Sequence, residues 1–265
     1  MTTASTARLA SLTTIALLLA CTTDSDQRVI GIQAMSFANS EWSEPVNLGA
    51  PINSSANEMN PALSPDELSL YFVSTRAGGL GGGDIWVSRR ASLESPWGEP
   101  VNLGPNVNGP GIDGSPVVSL DGHLLFFTSD RAGGQGSNDI YVASIKTDGE
   151  TQGPAVPVAE LNDPDPAITD AHPSLRVDGR EVYFYSNRPG SLGASDIWRS
   201  TRRSVHEPWS TPENVGAPLS TAANEIQPTL SYSGRTLVFA STRGGGLGSS
   251  DIWMSTRTPS GKETP

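Results

Sequence analysis

Lysine is almost missing from this chain of 265 residues, where Lys146 and Lys262 are the only two. Acidic residues number 28 against 17 basic ones, for a net charge of −11. Nucleic-acid phosphates are held by clustered Lys and Arg, so this balance argues against a nucleic-acid partner. Cysteine occurs once, at Cys21, which excludes an intramolecular disulfide. No sustained 3.6-residue apolar period follows the N-terminal region, and this argues against a helical fold. The longest apolar run, Leu9 to Ala20, is too short to span a bilayer. The three histidines, His123, His172 and His206, are too scattered to promise a metal triad or a Ser-His-Asp site. There is no G-x-S-x-G string.

Glycine (28) and proline (21) are abundant, the profile of short strands joined by tight turns. The string S-x-R-x-G-x-x-G-x-x-D-I-[WY] occurs four times, at Ser74–Trp86, Ser129–Tyr141, Ser186–Trp198 and Ser241–Trp253. Its aspartates, Asp84, Asp139, Asp196 and Asp251, are spaced by 55, 57 and 55 residues. A period of this length marks an array of supersecondary units. Each unit holds four strand candidates, in the first repeat 61–63, 68–73, 85–88 and a last one within 97–104. Strings such as Leu124-Leu125-Phe126-Phe127 are apolar on both faces, as in sheets stacked between sheets. Four-stranded units packed face to face predict an all-β, four-bladed propeller over residues 41–257. The blades fall near 59–103, 114–161, 171–215 and 226–255. The segment 42–48 nearly copies 97–103, so it is expected to supply the missing fourth strand of the last blade and close the ring. An open solenoid is the structural alternative.

The strings Leu63-Ser64-Pro65-Asp66, Leu70-Tyr71-Phe72-x-Ser74-x-Arg76 and Asp84-Ile85-Trp86 resemble the WD40-like β-propeller repeat of bacterial envelope proteins. That repeat occurs in TolB-type periplasmic proteins and in propellers fused to peptidoglycan-binding outer-membrane domains. The Trp-x-x-Pro-x-Asn-Leu-Gly strand is most similar to the second group, whose fused domain has no counterpart in this sequence. Leu18-Leu19-Ala20-Cys21 resembles the lipobox of bacterial lipoproteins. It implies that the 1–21 signal region is cleaved just before Cys21, which becomes the lipidated first residue and anchors the protein without a membrane span. By the same resemblance Thr22, not Asp, after the cysteine favours the outer over the inner membrane. Residues 22–40 read as a tether and 258–265 as a disordered tail.

The repeat offers two sets of candidate site residues. Arg76 with Asp84, Arg131 with Asp139, Arg188 with Asp196 and Arg243 with Asp251 are expected to pair across the turn between strands two and three, one stitch per blade. Glu58, Asp113, Asp170 and Glu225 stand three places before a proline at strand one, normally the innermost strand. They would ring one channel mouth, beside Asn60, Ser115, His172 and Gln227. Such a ring either binds Ca²⁺ or another ligand, or its members cap their own turns and bond backbone amides. The tryptophans Trp42, Trp97 and Trp209, and Trp86, Trp198 and Trp253, could bind sugar, but their repeat positions suit blade packing. The function expected is a non-catalytic envelope lipoprotein whose propeller binds a protein or peptide. The alternative is a glycan-binding propeller or glycosidase using the channel carboxylates.

Overall fold

A computed structural model describes residues 45–146, 149–231 and 233–258. The chain is an all-β, four-bladed propeller. Blade one is β1 (Glu58–Leu63), β2 (Ser69–Ser74), β3 (Asp84–Arg89) and β4 (Val101–Asn102). Blade two is β5 (Asp113–Val118), β6 (Leu124–Ser129), β7 (Asp139–Ser144) and β8 (Val156–Pro157). Blade three is β9 (Asp170–Leu175), β10 (Glu181–Ser186), β11 (Asp196–Thr201) and β12 (Glu213–Asn214). Blade four is β13 (Glu225–Leu230), β14 (Thr236–Ser241) and β15 (Asp251–Thr256). Within each blade every strand pairing is antiparallel and follows chain order.

Strands one and three start earlier than the apolar pattern suggests, at Glu58 and Asp84 in blade one. Strand one begins at the acidic residue itself, because a bulge lets the chain stay paired on both sides of Asn60-Pro61 and its three equivalents. Strand four is reduced to two residues in blades one to three. In blades one and three the Trp-x-x-Pro lead-in is tied to the end of strand three, the Gly98 amide donating to the Arg89 carbonyl and the Ser210 amide to the Thr201 carbonyl, each at 2.8 Å.

The core lies between blades. Tyr71, Val73, Ile85 and Val87 of blade one interlock with Leu125, Phe127 and Tyr141 of blade two. Phe126 and Ile140, on the other face of blade two, meet Val182, Phe184 and Trp198 of blade three. Tyr183 and Ile197 of blade three meet Leu230, Leu237 and Phe239 of blade four. Adjacent residues of one strand thus serve opposite neighbours, which is why the middle strands are apolar on both faces.

The motif glycines serve two purposes. Gly78, Gly133, Gly190 and Gly245 hold φ between +93° and +100°, where a side chain is strained. Gly81, Gly136 and Gly193 press on the next blade. A Cβ on them would lie 2.2, 2.4 and 1.8 Å from the carbonyl oxygens of Gly111, Ile168 and Ala223. Beside them, the amides of Asp113, Asp170 and Glu225 donate to the carbonyls of Gly83, Asn138 and Ser195, each at 2.8 Å.

The fourth repeat departs from this scheme. Gly248 meets no backbone of another blade, and among the described strands none of blade four lies against blade one. Ile252 is 74% exposed, whereas its equivalents Ile85, Ile140 and Ile197 are wholly buried by the next blade. The closing strand expected at 42–48 lies partly outside the described residues. Its described part, 45–48, has no strand assignment, and β15 is the edge of its sheet among the described residues. Among the described residues the last blade has three strands, where four were expected.

Candidate functional site: the charged ends of the inner strands

The inner strands β1, β5, β9 and β13 follow one another in space, each touching the next. Their first residues are Glu58, Asp113, Asp170 and Glu225, the predicted acidic ring. Each faces a serine across its hairpin, at Ser74, Ser129, Ser186 and Ser241. Two residues after each serine comes the repeat arginine, so a short local path brings the arginine back to the carboxylate.

The ion pairs correct the expected stitch. Arg76 pairs with Glu58 at 3.1 Å, Arg131 with Asp113 at 2.6 Å and Arg243 with Glu225 at 3.2 Å, while Arg188 pairs with Asp170. No repeat arginine is ion-paired with Asp84, Asp139, Asp196 or Asp251 among the described residues. Geometry explains the exchange. Each arginine Nε donates to the serine two places earlier (3.0 Å in Arg76 to Ser74, 2.8 Å in Arg131 to Ser129), which swings the guanidinium toward strand one. The guanidinium then lies over two aromatic rings. Arg76 sits 5.1 Å from the Phe72 centroid and 5.3 Å from Trp86, and Arg131 sits 4.7 Å from Tyr141. Arg188 and Arg243 repeat this over Trp198 and Trp253. The aromatic at the end of the D-I-[WY] string is thus the floor of the arginine site.

The repeat aspartate is occupied by its own turn. Asp139 accepts from the Gln135 amide at 2.7 Å and the Gly136 amide at 3.0 Å. Asp196 accepts from Leu192 and Gly193 at 2.5 and 3.1 Å, Asp84 from Leu80 and Gly81, and Asp251 from Gly248. A carboxylate that receives two amides fixes the glycine-rich turn without a cation. Asn102 and Asn214 reinforce it, donating to Asp84 at 2.8 Å and to Asp196 at 2.6 Å. These asparagines belong to the Pro-x-Asn string of strand four, and only its repetition hinted at a role.

The ring carboxylates are filled in a similar way. Ser54 donates to Glu58 through its amide (3.2 Å) and hydroxyl (2.7 Å), and Thr221 does the same to Glu225 at 2.7 and 2.8 Å. Asp113 and Asp170 accept from the amides of Gly109 (2.6 Å) and Asp163 (2.7 Å). Burial alone pushes the Glu58 carboxyl up, but hydrogen bonds from Ser54, Ser74 and Arg76 outweigh it and hold it below the ordinary value. At Asp170 burial dominates over Arg188 and raises it. Among the described residues, no group of three or more His, Cys, Asp or Glu is placed to hold a metal ion. The four carboxylates do not fit a shared calcium ion. Each already carries a guanidinium, whose charge a dication would have to displace.

The polar set next to the carboxylates is partly joined. Ser115 Oγ lies 2.8 Å from His172 Nδ1, bridging blades two and three. Burial depresses the His172 imidazole to about 4. Asn60, Ser115, His172 and Gln227 all hold positive φ, between 50° and 59°, at the bulge before proline. His123 lies in a turn and His206 is exposed in an outer loop. Trp97 and Trp209 lie under Arg90 (4.5 Å) and Arg202 (4.1 Å). Trp42 and Cys21 fall outside the described residues.

One charged cluster was invisible to repeat reasoning because it occurs once. Glu181, buried in blade three, accepts from Arg199 Nε at 2.6 Å and from Arg257 Nη2 at 2.6 Å. These arginines hold its carboxyl below the ordinary value although burial pushes it up. The equivalent residues Ser69, Leu124 and Thr236 carry no charge, and that break in the repeat was the available signal.

No known family's sequence profile matches the chain, and no curated protein does. Solved structures do. TolB from Acinetobacter baumannii shares 18% identity over 76% of this chain and 41% of its own, with a TM-score of 0.53. A GH43_12 protein retrieved from a capybara gut metagenome shares 15% identity over 78% of this chain and 41% of its own, at 0.53. The α-L-arabinofuranosidase of Lactobacillus brevis shares 11% identity over 75% of this chain and 70% of its own, at 0.50. At such identities the likeness is one of fold, the TolB-like propeller. The chain spans about two-fifths of the length of the Acinetobacter TolB.

Proposed function

We propose that this protein is a lipid-anchored component of the bacterial cell envelope whose propeller is a non-catalytic scaffold for a protein or peptide. The observation that carries this reading is how the charged repeat residues are used. Four carboxylates are taken up by four arginines, and four aspartates receive turn amides. General acid–base work on a glycoside needs two accessible carboxyl groups in unlike environments, and residues engaged in this way serve poorly. A rigid blade framework instead presents its irregular loops to partners. The anchor rests on Cys21 closing an apolar run after Leu18-Leu19-Ala20, and Thr22 favours the outer membrane.

The test is to express the full chain in a Gram-negative host with labelled palmitate and then capture partners from detergent-solubilised envelope. Label on the wild type, its loss in Cys21→Ser, and co-purification of one defined protein or peptide are the expected results. An unlabelled chain would remove the anchor, and a chain that brings down only glycan would remove the scaffold. The shared fold with an arabinofuranosidase raises the glycan reading. Aryl arabinosides and xylosides are expected to turn over at background rate. Turnover abolished by Asp170→Asn would overturn the proposal.

A further inference from the structure

Functional residues in a repeat protein are best sought where the repeat is broken, and blades one and two break it side by side. Position 89 of β3 is an arginine, where the other blades have Ser144, Thr201 and Thr256. Blades one and three follow strand three with a loop carrying Trp97 or Trp209. Blade two has no such tryptophan. Its chain folds back at once, with Ile145 bridged to Thr151 and the Gln152 amide donating to the Ser144 carbonyl at 2.8 Å. Between the two departures lies a cleft of about 370 Å³, lined by Val87, Arg89, Val101 and Leu103 on one side and Gly149–Thr151 on the other.

Arg89 is the unusual member of that lining. Its Nε is buried and has no hydrogen-bond partner among the described residues. A desolvated guanidinium N–H without an acceptor is costly, and a carboxylate is the acceptor that matches its fork. Gly149, at φ +76°, sits close against it. A Cβ there would be 3.1 Å from Arg89 Nη2 and 2.7 Å from the Tyr71 hydroxyl. Beside Arg89 the blade-one wall carries the apolar Val87, Val101 and Leu103, of which only Val101 is exposed, together with Asn102. Glu150 stands in the lining with its carboxylate paired to Lys146. The strand beside the cleft, β4, is a two-residue edge strand, the kind to which an extended peptide adds.

We propose that this cleft binds the C-terminal carboxylate of an extended peptide whose last side chain is apolar. Arg89 takes the carboxylate, and the exposed Val101, with the accessible edge of Leu103, takes the side chain. The inference rests on the scaffold reading and names a class of partner for it.

The experiment measures polarisation of a fluorescent hexapeptide ending in leucine, as the free acid and as the C-terminal amide, with the full chain in detergent. The free acid is expected to bind at least tenfold more tightly than the amide. Arg89→Gln should remove that difference, Arg89→Lys should restore part of it, and exposed Arg203→Gln should leave it unchanged. Equal binding of acid and amide, retention of the preference in Arg89→Gln, or no binding of the acid at about 1 mM would each overturn the proposal. Its failure alongside a protein partner captured from the envelope would leave the scaffold reading standing, so the two can fail separately.

Discussion

At the scale of single residues, the repeat is a set of buried charge pairs. Asp113 is fully buried and meets Arg131 at 2.6 Å, with the Gly109 amide as a second donor. Removing one member of such a pair strands the other. Asp113→Ala is therefore expected to cost about 3 kcal/mol in chemical denaturation. The exposed pair Lys146–Glu150 is expected to lose less than about 1 kcal/mol on Glu150→Ala. Equal losses would show that the inner pairs are not special. His172 supplies a pH dependence. Its folded-state value of about 4 lies below the ordinary 6.5, so between these limits the unfolded chain binds a proton that the folded chain does not. Stability should fall as pH drops from 6.5 to 4, and His172→Gln should flatten that slope in unfolding curves. Asp178, held near 2 by Arg176 and Arg180 against its burial, contributes above 3.8 and loses its contribution as pH falls toward 2. The two windows are separable.

At the scale of elements, much of each blade was legible. Repetition marked the strands, the turns and the glycines, because each acts once per blade and leaves the same trace four times. Partner choice was not legible. Arg76 lies eight residues from Asp84 in sequence and eighteen from Glu58, yet it bonds the latter. The hairpin register that sets Glu58 opposite Ser74 decides this; the proline three places after each acidic residue marked the position, but not that a bulge there keeps the acidic residue paired. The alternative of a shared cation counted carboxylates without the arginines that reach them. Single departures such as Arg89 and Glu181 carried a readable signal, a charge where other copies are neutral, but repetition drew attention elsewhere. One element-level prediction follows from the last blade. Ile197→Ala should cost about 3 kcal/mol, because blade four packs on it. Ile252→Ala, at the same repeat position, should change stability by less than about 0.5 kcal/mol, because Ile252 is 74% exposed. A similar cost at both sites would mean that the outer face of β15 is covered in solution.

At the scale of the whole molecule, one rule joins the blades: an arginine, a carboxylate and two aromatic rings at the inner end of each sheet. Apolar burial between the blades supplies the non-directional attraction. The charged stitches set each inner strand against its own hairpin and against the chain leading into it, as when Arg188 reaches the Leu161 carbonyl at 2.5 Å. A framework fixed in this way leaves its non-repeating clefts and loops available for recognition. The measurement that tests this most directly is thermal unfolding of the wild type and of Glu58→Gln/Glu225→Gln, each with excess calcium and with chelator. The account predicts that calcium leaves both proteins unmoved and that the double variant melts several degrees lower in either condition. A wild type raised several degrees by calcium, with the rise abolished in the variant, would show that these carboxylates hold an ion and that the ion-pair account is wrong.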